Sequence, residues 1–91
     1  MYKIKSYSYR KAKKLGVTIK PSTQKGKKID VFKRGIKVAS IGAKGYGDYP
    51  TFKAKKGLKY AESRRKAYKS RHQSNRTKKN TPGYYADKIL W

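Results

Sequence analysis

The excess of positive charge is the feature that most restricts what this chain can fold into. Lysine and arginine account for 27 of the 91 residues and aspartate and glutamate for four, so the formal net charge is +23. Charges of one sign repel one another and destabilise a compact state. An external polyanion removes this repulsion, and nucleic acid is the obvious one, since duplex DNA carries a negative charge about every 1.7 Å of its axis.

The second restriction is the small number of strongly apolar side chains. Leucine, isoleucine, valine and phenylalanine together make up 14 of the 91 residues, which is below the roughly 20% that marks disorder in highly charged chains. A domain this small buries only about 60% of the surface that its unfolded chain exposes. We therefore expect a single domain that is weakly stable or partly unfolded on its own, in which the nine tyrosines supply part of the core. A bound polyanion would add stability.

Residue types that carry out catalysis or bind metals are scarce in this chain. Cysteine is absent, which excludes disulfides and thiolate metal sites. A single histidine and four scattered acids indicate neither a metal site nor paired catalytic carboxylates, and no serine lies in a nucleophile motif. We expect a protein that is not an enzyme and has no cofactor. We also expect no transmembrane segment and no secretory signal, because no apolar run approaches 18 residues.

Alternating apolar and polar residues predict three short strands, at residues 17–20, 28–33 and 36–41. The last two are separated by Arg34 and Gly35, which indicates a β-hairpin. A glycine-rich connection, residues 42–47, leads to a helical region at 51–72 that Asp48 or Thr51 can cap and that Gly57 is expected to break or bend. The pattern predicts an α+β fold, in which a small antiparallel sheet of about three strands packs on one main helix in the C-terminal half.

The two ends of the chain are expected to lie outside this core. Residues 1–16 are predicted as a basic N-terminal arm, although residues 8–15 are equally compatible with a short helix that ends at Gly16. Residues 17–73 would then form the α+β core, and residues 74–91 a basic linker and an aromatic tail.

The tail contains the densest apolar cluster of the chain. Its members are Tyr84, Tyr85, Ile89, Leu90 and Trp91. Two interpretations are open: the tail docks back on the sheet, or these residues dock on a partner protein, since buried aromatic anchors dominate interfaces.

Basic residues crowd the second half of the helical region, where Glu62 is the only acid within more than twenty residues. A solvated helix face normally mixes charges of both signs, so this face is predicted to contact a polyanion. Arginine binds phosphate oxygens through two parallel hydrogen bonds, and lysine acts as a point charge. The predicted polyanion-binding residues are Arg10, Lys11, Lys13, Lys14, Lys27, Lys28, Arg34, Lys44, Gly45, Tyr46, Lys59, Arg64, Arg65, Lys66, Lys69, Arg71, His72 and Arg76.

The glycine-rich connection allows two interpretations. Successive N–H groups ahead of a helix N-terminus can hold a phosphate of a nucleic acid, or the glycines simply allow a tight turn from strand to helix. The loop lacks the Gly-Lys-Ser/Thr ending of nucleotide-binding loops, which disfavours a mononucleotide cofactor. Tyr46 is the best candidate for a ring that stacks on a base, whereas most other tyrosines are expected to serve as core.

Several short blocks of sequence carry a resemblance to a known family. Residues 20–23 (KPST) and 27–32 (KKIDVF) form one block, and residues 38–51 (VASIGAKGYGDYPT) form the most specific one. Residues 64–66 (RRK), 68–72 (YKSRH), 81–85 (TPGYY) and 89–91 (ILW) complete the set. Over about residues 15–91, these blocks resemble small basic proteins encoded by giant DNA viruses (nucleocytoplasmic large DNA viruses). The resemblance implies no activity, but it implies a place in the virion or in the viral factory of the host cell.

Three hypotheses about function follow. The first is a non-enzymatic, virion-associated structural protein that binds nucleic acid through backbone phosphates with little sequence specificity, with DNA favoured over RNA. The second is a minor capsid or cement protein that bridges capsid subunits or lies on an inner membrane surface. The third is a ribosomal-type RNA-binding protein, which would share the composition. The resemblance to viral proteins argues against this third hypothesis.

Overall fold

The computed structural model describes residues 2–91, apart from the side chain of residue 75. In chain order its elements are α1 (Ser6–Leu15), β1 (Thr18–Pro21), β2 (Lys27–Lys33), β3 (Ile36–Ala43), α2 (Tyr49–Lys56), α3 (Leu58–Arg71), the single turn α4 (Gln73–Arg76) and α5 (Pro82–Leu90). The strands form one antiparallel sheet in the order β1-β2-β3. The predicted α+β class is confirmed, with three antiparallel strands and a long helix in the C-terminal half.

The β2–β3 hairpin forms where alternation and turn chemistry predicted it. Arg34 and Gly35 have positive φ angles of 54° and 79°, as a two-residue hairpin turn matched to the twist of the strands requires. Ile29 lies opposite Ile41 in the paired strands. Both side chains and that of Val31 are fully buried, so the apolar face of this hairpin is the floor of the core.

Local capping determines where the helices begin and end. The Asp48 side chain accepts a hydrogen bond from the N–H of Thr51 at 3.0 Å and thereby caps α2, as predicted. Gly57, with a φ of 92°, separates α2 from α3 and breaks the predicted helical region. Gly16 ends α1 in the left-handed conformation, which selects the helical alternative for the N-terminal segment.

The N-terminal segment is not a free arm, contrary to the first expectation for residues 1–16. Helix α1 packs against β1 and α5. The Ser8 hydroxyl donates to the main-chain oxygen of Ile89 at 3.0 Å, and the Tyr7 hydroxyl donates to that of Trp91 at 3.1 Å. These bonds join the two ends of the chain. Residue 1 lies outside the described residues.

The C-terminal tail docks on the sheet, which selects this interpretation over the alternative that Tyr84, Tyr85, Ile89, Leu90 and Trp91 dock on a partner protein. Tyr85, Ile89 and Leu90 are at most 2% exposed and Trp91 is 8% exposed, while the half-buried Tyr84 packs against the same core. Burying such side chains stabilises a fold by about 1.5–3 kcal/mol each.

Helix α5, and not the longer α3, makes the main helical contact with β3. The composition of the two helices explains why α5, and not α3, packs on the sheet. Within α3, all of whose residues are described, Ala61 is the one buried side chain. The more apolar α5 therefore occupies the position that the sequence pattern assigned to the main helix.

A buried carboxylate ties the three strands together. Asp30 of β2 accepts hydrogen bonds from the hydroxyls of Ser22 (2.6 Å) and Ser40 (2.7 Å) and from the N–H of Thr23 (3.2 Å). Burial by itself raises the pKa of Asp30, but these hydrogen bonds and the charge of Lys37 outweigh it and lower the pKa to about 2. The carboxylate is therefore ionised at neutral pH and holds the end of β1 and strand β3 against β2.

We expect acid to weaken the fold through Asp30. The pKa in the folded chain, about 2, lies below the ordinary value of 3.8. The stabilisation is therefore complete above about pH 5 and is lost as the pH falls through 3.8 towards 2. Asp30→Asn should lower the free energy of unfolding at pH 7 by about 1–3 kcal/mol, because buried donors lose a charged acceptor. It should also flatten the decline below pH 4.

Urea unfolding followed by far-ultraviolet circular dichroism, from pH 7 stepwise to pH 2, measures both effects. A parallel decline of wild type and Asp30→Asn below pH 4 would contradict the role of this carboxylate.

Candidate nucleic-acid interface

Most of the acidic side chains are withdrawn from the surface. Asp30, Asp48 and Asp87 are at most 3% exposed, and each pairs with a lysine, although Lys37, the partner of Asp30, is itself exposed. Glu62 is the one exposed carboxylate side chain among the described residues, whereas 19 of the 27 lysines and arginines are exposed. Because folding buries three of the four acids and leaves most cations exposed, the ratio of positive to negative side chains is higher at the surface than in the whole chain.

The ion pair of Lys28 and Asp48 lies beneath the glycine-rich loop. Lys28 Nζ is 2.9 Å from Asp48 Oδ2 and also donates to the main-chain oxygen of Tyr46. Asp48 accepts further bonds from the Tyr2 hydroxyl at 2.8 Å and from the Thr51 N–H at 3.0 Å. Burial raises the pKa of Asp48, but these donors and the lysine charge outweigh it, so the pKa is lowered. Lys28 is 5% exposed and supports the loop from within, contrary to the prediction that it binds phosphate.

The same pair decides how the glycine-rich loop is used. The Asp48 carboxylate occupies the N-terminus of α2, the position at which a helix would otherwise attract a phosphate. The helix therefore already has its anion. The loop serves as a turn from strand to helix, while Gly45 and Tyr46 within it are exposed.

Two further predicted phosphate ligands are engaged inside the protein. The Arg65 guanidinium lies 3.7 Å from the ring centre of Tyr49 and donates to the Tyr7 hydroxyl at 3.2 Å. Lys69 Nζ is 2.9 Å from Asp87 Oδ1. Both cations are half-buried, and they attach α3 to the rest of the fold because their partners lie on α1, α2 and α5. Because Arg65 and Lys69 already interact with groups inside the protein, they are less available to bind an external ligand.

A groove of about 720 Å³ opens between the end of β3, the second half of α3 and the beginning of α5. Its cationic lining consists of Lys27, Arg64, Arg71 and Lys78, and no aspartate or glutamate is among its described lining residues. The structure thus brings together three cations that the sequence predicted. Lys78 was missed because it lies in the predicted linker. Only the folded chain brings this segment close to α3.

Three stacked rings form one wall of this groove. The Tyr68 ring lies between those of His72 and Trp91, with centre-to-centre distances of 4.4 Å on each side and interplanar angles of 29° and 10°. Burial and the nearby charge of Asp87 raise the pKa of Tyr68. Trp91 belongs to the core, so the stack links the groove wall to the centre of the fold. The sequence predicted His72 as a polyanion-binding residue and Trp91 as a partner-docking residue, but it did not predict the stack.

A second, smaller groove of about 460 Å³ shares Tyr46 with the first. Its exposed cations are Lys44, Lys55 and Lys56. The sequence singled out Lys44, but it missed the two lysines of α2 because they precede the break at Gly57 and lie apart from the basic run of α3. Tyr46 therefore stands at the boundary of two cationic grooves.

Most tyrosines pack in or against the core, as predicted. Tyr49 and Tyr85 are buried, and the half-buried tyrosines that pack on the core are Tyr2, Tyr7, Tyr68 and Tyr84. The other three, Tyr9, Tyr46 and Tyr60, are exposed, and Tyr46 is the most exposed of them, at 76%.

The remaining predicted cations are distributed over other parts of the surface. Those that line neither groove and are exposed are Arg10, Lys13, Lys14, Arg34, Lys59 and Lys66. Arg76 is half-buried and donates to the main-chain oxygen of Lys69 at 3.1 Å. Burial, together with the positive charges of Arg65 and Lys88, lowers the pKa of Lys11. The basic surface thus extends well beyond the grooves.

Comparison of the chain with models of protein families, with curated protein sequences and with solved structures gives no significant match. The resemblance of its sequence blocks to proteins of giant DNA viruses stays a prediction. Within the described residues, no helix combines the length and the apolar character needed to cross a bilayer.

We expect Lys28→Met to destabilise the fold severely, because it leaves the Asp48 carboxylate buried without its cation. Removing one partner of a buried ion pair costs about 3–5 kcal/mol. The matched change Lys44→Met affects an exposed side chain next to the same loop and should alter the free energy of unfolding by less than about 0.5 kcal/mol. Urea unfolding of the two variants tests this, and equal midpoints would show that Lys28 is not a structural support.

Proposed function

We propose that this protein is a non-enzymatic nucleic-acid-binding protein that contacts backbone phosphates and has little sequence specificity. The observation that carries the proposal is the distribution of charge: three of the four acids are buried, and 19 cations are exposed. A polyanion relieves the resulting repulsion, and its binding stabilises the folded chain by mass action.

The larger groove is the proposed centre of the interface. Arg64 and Arg71 offer planar donor groups that match phosphate oxygens, and Lys27 and Lys78 add charge at the same surface. No aspartate or glutamate in the described lining opposes them. Contacts of this kind position a nucleic acid without reading its sequence, which supports the low specificity that we propose.

The proposed setting is the virion or the viral factory, with DNA favoured over RNA, and it rests on the resemblance of the sequence blocks alone. The capsid or cement alternative used the aromatic tail as an anchor for a partner. That support is weakened because Trp91 is 8% exposed and packs within the chain's own core. A ribosomal-type role would use the same phosphate chemistry, so RNA belongs in the binding test.

We expect the affinity for duplex DNA to fall steeply with salt. If about eight phosphates are neutralised, the logarithm of the binding constant should fall against the logarithm of the salt concentration with a slope near −7. Fluorescence anisotropy with labelled duplex DNA, single-stranded DNA and RNA, in parallel with heparin, measures this. A shallow slope on every nucleic acid would contradict the proposal, and equally tight binding of heparin would reduce it to a general affinity for polyanions.

Neutralising the groove should reduce this slope more than neutralising other surface charges. In the triple variant Arg64→Gln, Arg71→Gln and Lys78→Gln, the slope on duplex DNA should become less steep by about 2.7, because each lost phosphate contact removes about 0.9. The control variant Lys20→Gln, Lys25→Gln and Lys33→Gln loses the same charge at exposed residues that line neither groove. Equal changes in the two variants would show that the groove is not the centre of the interface.

A further inference from the structure

We infer that Tyr46 stacks on an unpaired base, so that the ligand class of this surface is single-stranded nucleic acid. The inference rests on the proposed phosphate binding and adds to it a reason why one strand is preferred over a duplex. Three observations support it: the exposed ring of Tyr46 on an anchored main chain, the cations on both sides of it, and the absence of accessible base faces in a duplex.

The main chain at Tyr46 is fixed from inside while its ring is left in solvent. The Tyr46 N–H donates to the main-chain oxygen of Ala43 at 3.3 Å, and its own oxygen accepts from Lys28. Lys28 is in turn paired with the buried Asp48. Tyr46 as a whole is 76% exposed, so its side chain contributes little to the core. An exposed aromatic ring on an anchored main chain is preorganised to bind a ligand.

The residues on either side of Tyr46 leave its ring uncovered. Gly45 and Gly47 have no side chains that could pack on it. At Gly47 a Cβ atom would lie 2.2 Å from the ring of Phe52, so this position excludes a larger residue. The loop therefore combines a close contact with α2 on one side and an open aromatic ring on the other.

Cations on both sides of Tyr46 supply the phosphate contacts that a stacked nucleotide needs. The larger groove offers Arg64 and Arg71, and the smaller one offers Lys44 and Lys55. A strand that crosses from one groove to the other would pass Tyr46, which lines both. Cationic grooves combined with aromatic rings are the usual means of binding single strands without sequence preference.

A duplex does not offer the contact that Tyr46 is placed to make. Its bases are stacked on one another and paired, so a base becomes available to a ring only after unstacking, which costs a few kcal/mol. Phosphate contacts are available on both polymers. The ring should therefore favour the single strand, while the cations support binding to either.

The test measures binding of a 12-nucleotide oligothymidine, a 12-base-pair duplex and a 12-residue strand without bases, each by fluorescence anisotropy at one salt concentration. Tyr46→Ala should weaken binding of oligothymidine by about 5- to 150-fold, the usual contribution of one stacked base. Tyr46→Phe should stay close to wild type, because it keeps the ring. Binding of the duplex and of the strand without bases should be unaffected by Tyr46→Ala.

Tyr9→Ala is the matched control, since Tyr9 is also an exposed tyrosine, lies on α1 and lines neither groove. Equal losses for Tyr9→Ala and Tyr46→Ala, or an equal loss by Tyr46→Ala on the duplex, would overturn the stacking role and leave phosphate binding intact. Failure of the wild-type protein to bind any of the three polymers would overturn the proposed function, and this inference with it. Circular dichroism should show that all three variants fold, because both rings are exposed.

Discussion

The buried ion pair between Lys28 and Asp48 connects the sheet to the helices. Lys28 belongs to β2, and Asp48 caps α2, so one contact of 2.9 Å fixes the strand, the helix and the loop between β3 and α2. Charges inside a protein are tolerated only when they are paired and hydrogen-bonded. Asp48 meets this condition through donors from β2, from α2 and from Tyr2. The position of Tyr46, and with it the boundary between the two grooves, depends on this pair.

The same use of carboxylates links stability to the proposed function. Asp30 joins the strands and Asp87 joins α3 to α5, so three of only four acids are used inside the fold. Each internal pairing neutralises a cation locally but also removes a negative charge from the surface. The outer face is left with an excess of lysine and arginine that an external polyanion can balance. A fold with so few apolar residues thus gains cohesion from the pairs that make its surface cationic.

Features that depend on a few neighbouring residues were predictable from the sequence. The strand around Ile29 and Val31, the turn at Arg34, the cap at Asp48 and the break at Gly57 are all present in the structure. The candidate site was less predictable. A lysine that supports a loop and a lysine that faces solvent have the same local pattern, so Lys28 was assigned to the interface. Lys78 was overlooked because nothing in its own neighbourhood indicates that it returns to α3.

The amino-acid sequence by itself determined the net charge, the α+β class and the approximate positions of the strands, because these follow from composition and from the periodicity of adjacent residues. Only the tertiary structure decided which charges are buried, that α5 covers the sheet, and that Tyr46 is left in solvent. Those outcomes depend on contacts between distant residues, such as Ser8 with Ile89 and Lys28 with Asp48. The energy of such a contact is realised only when the chain has brought its partners together and excluded water from them.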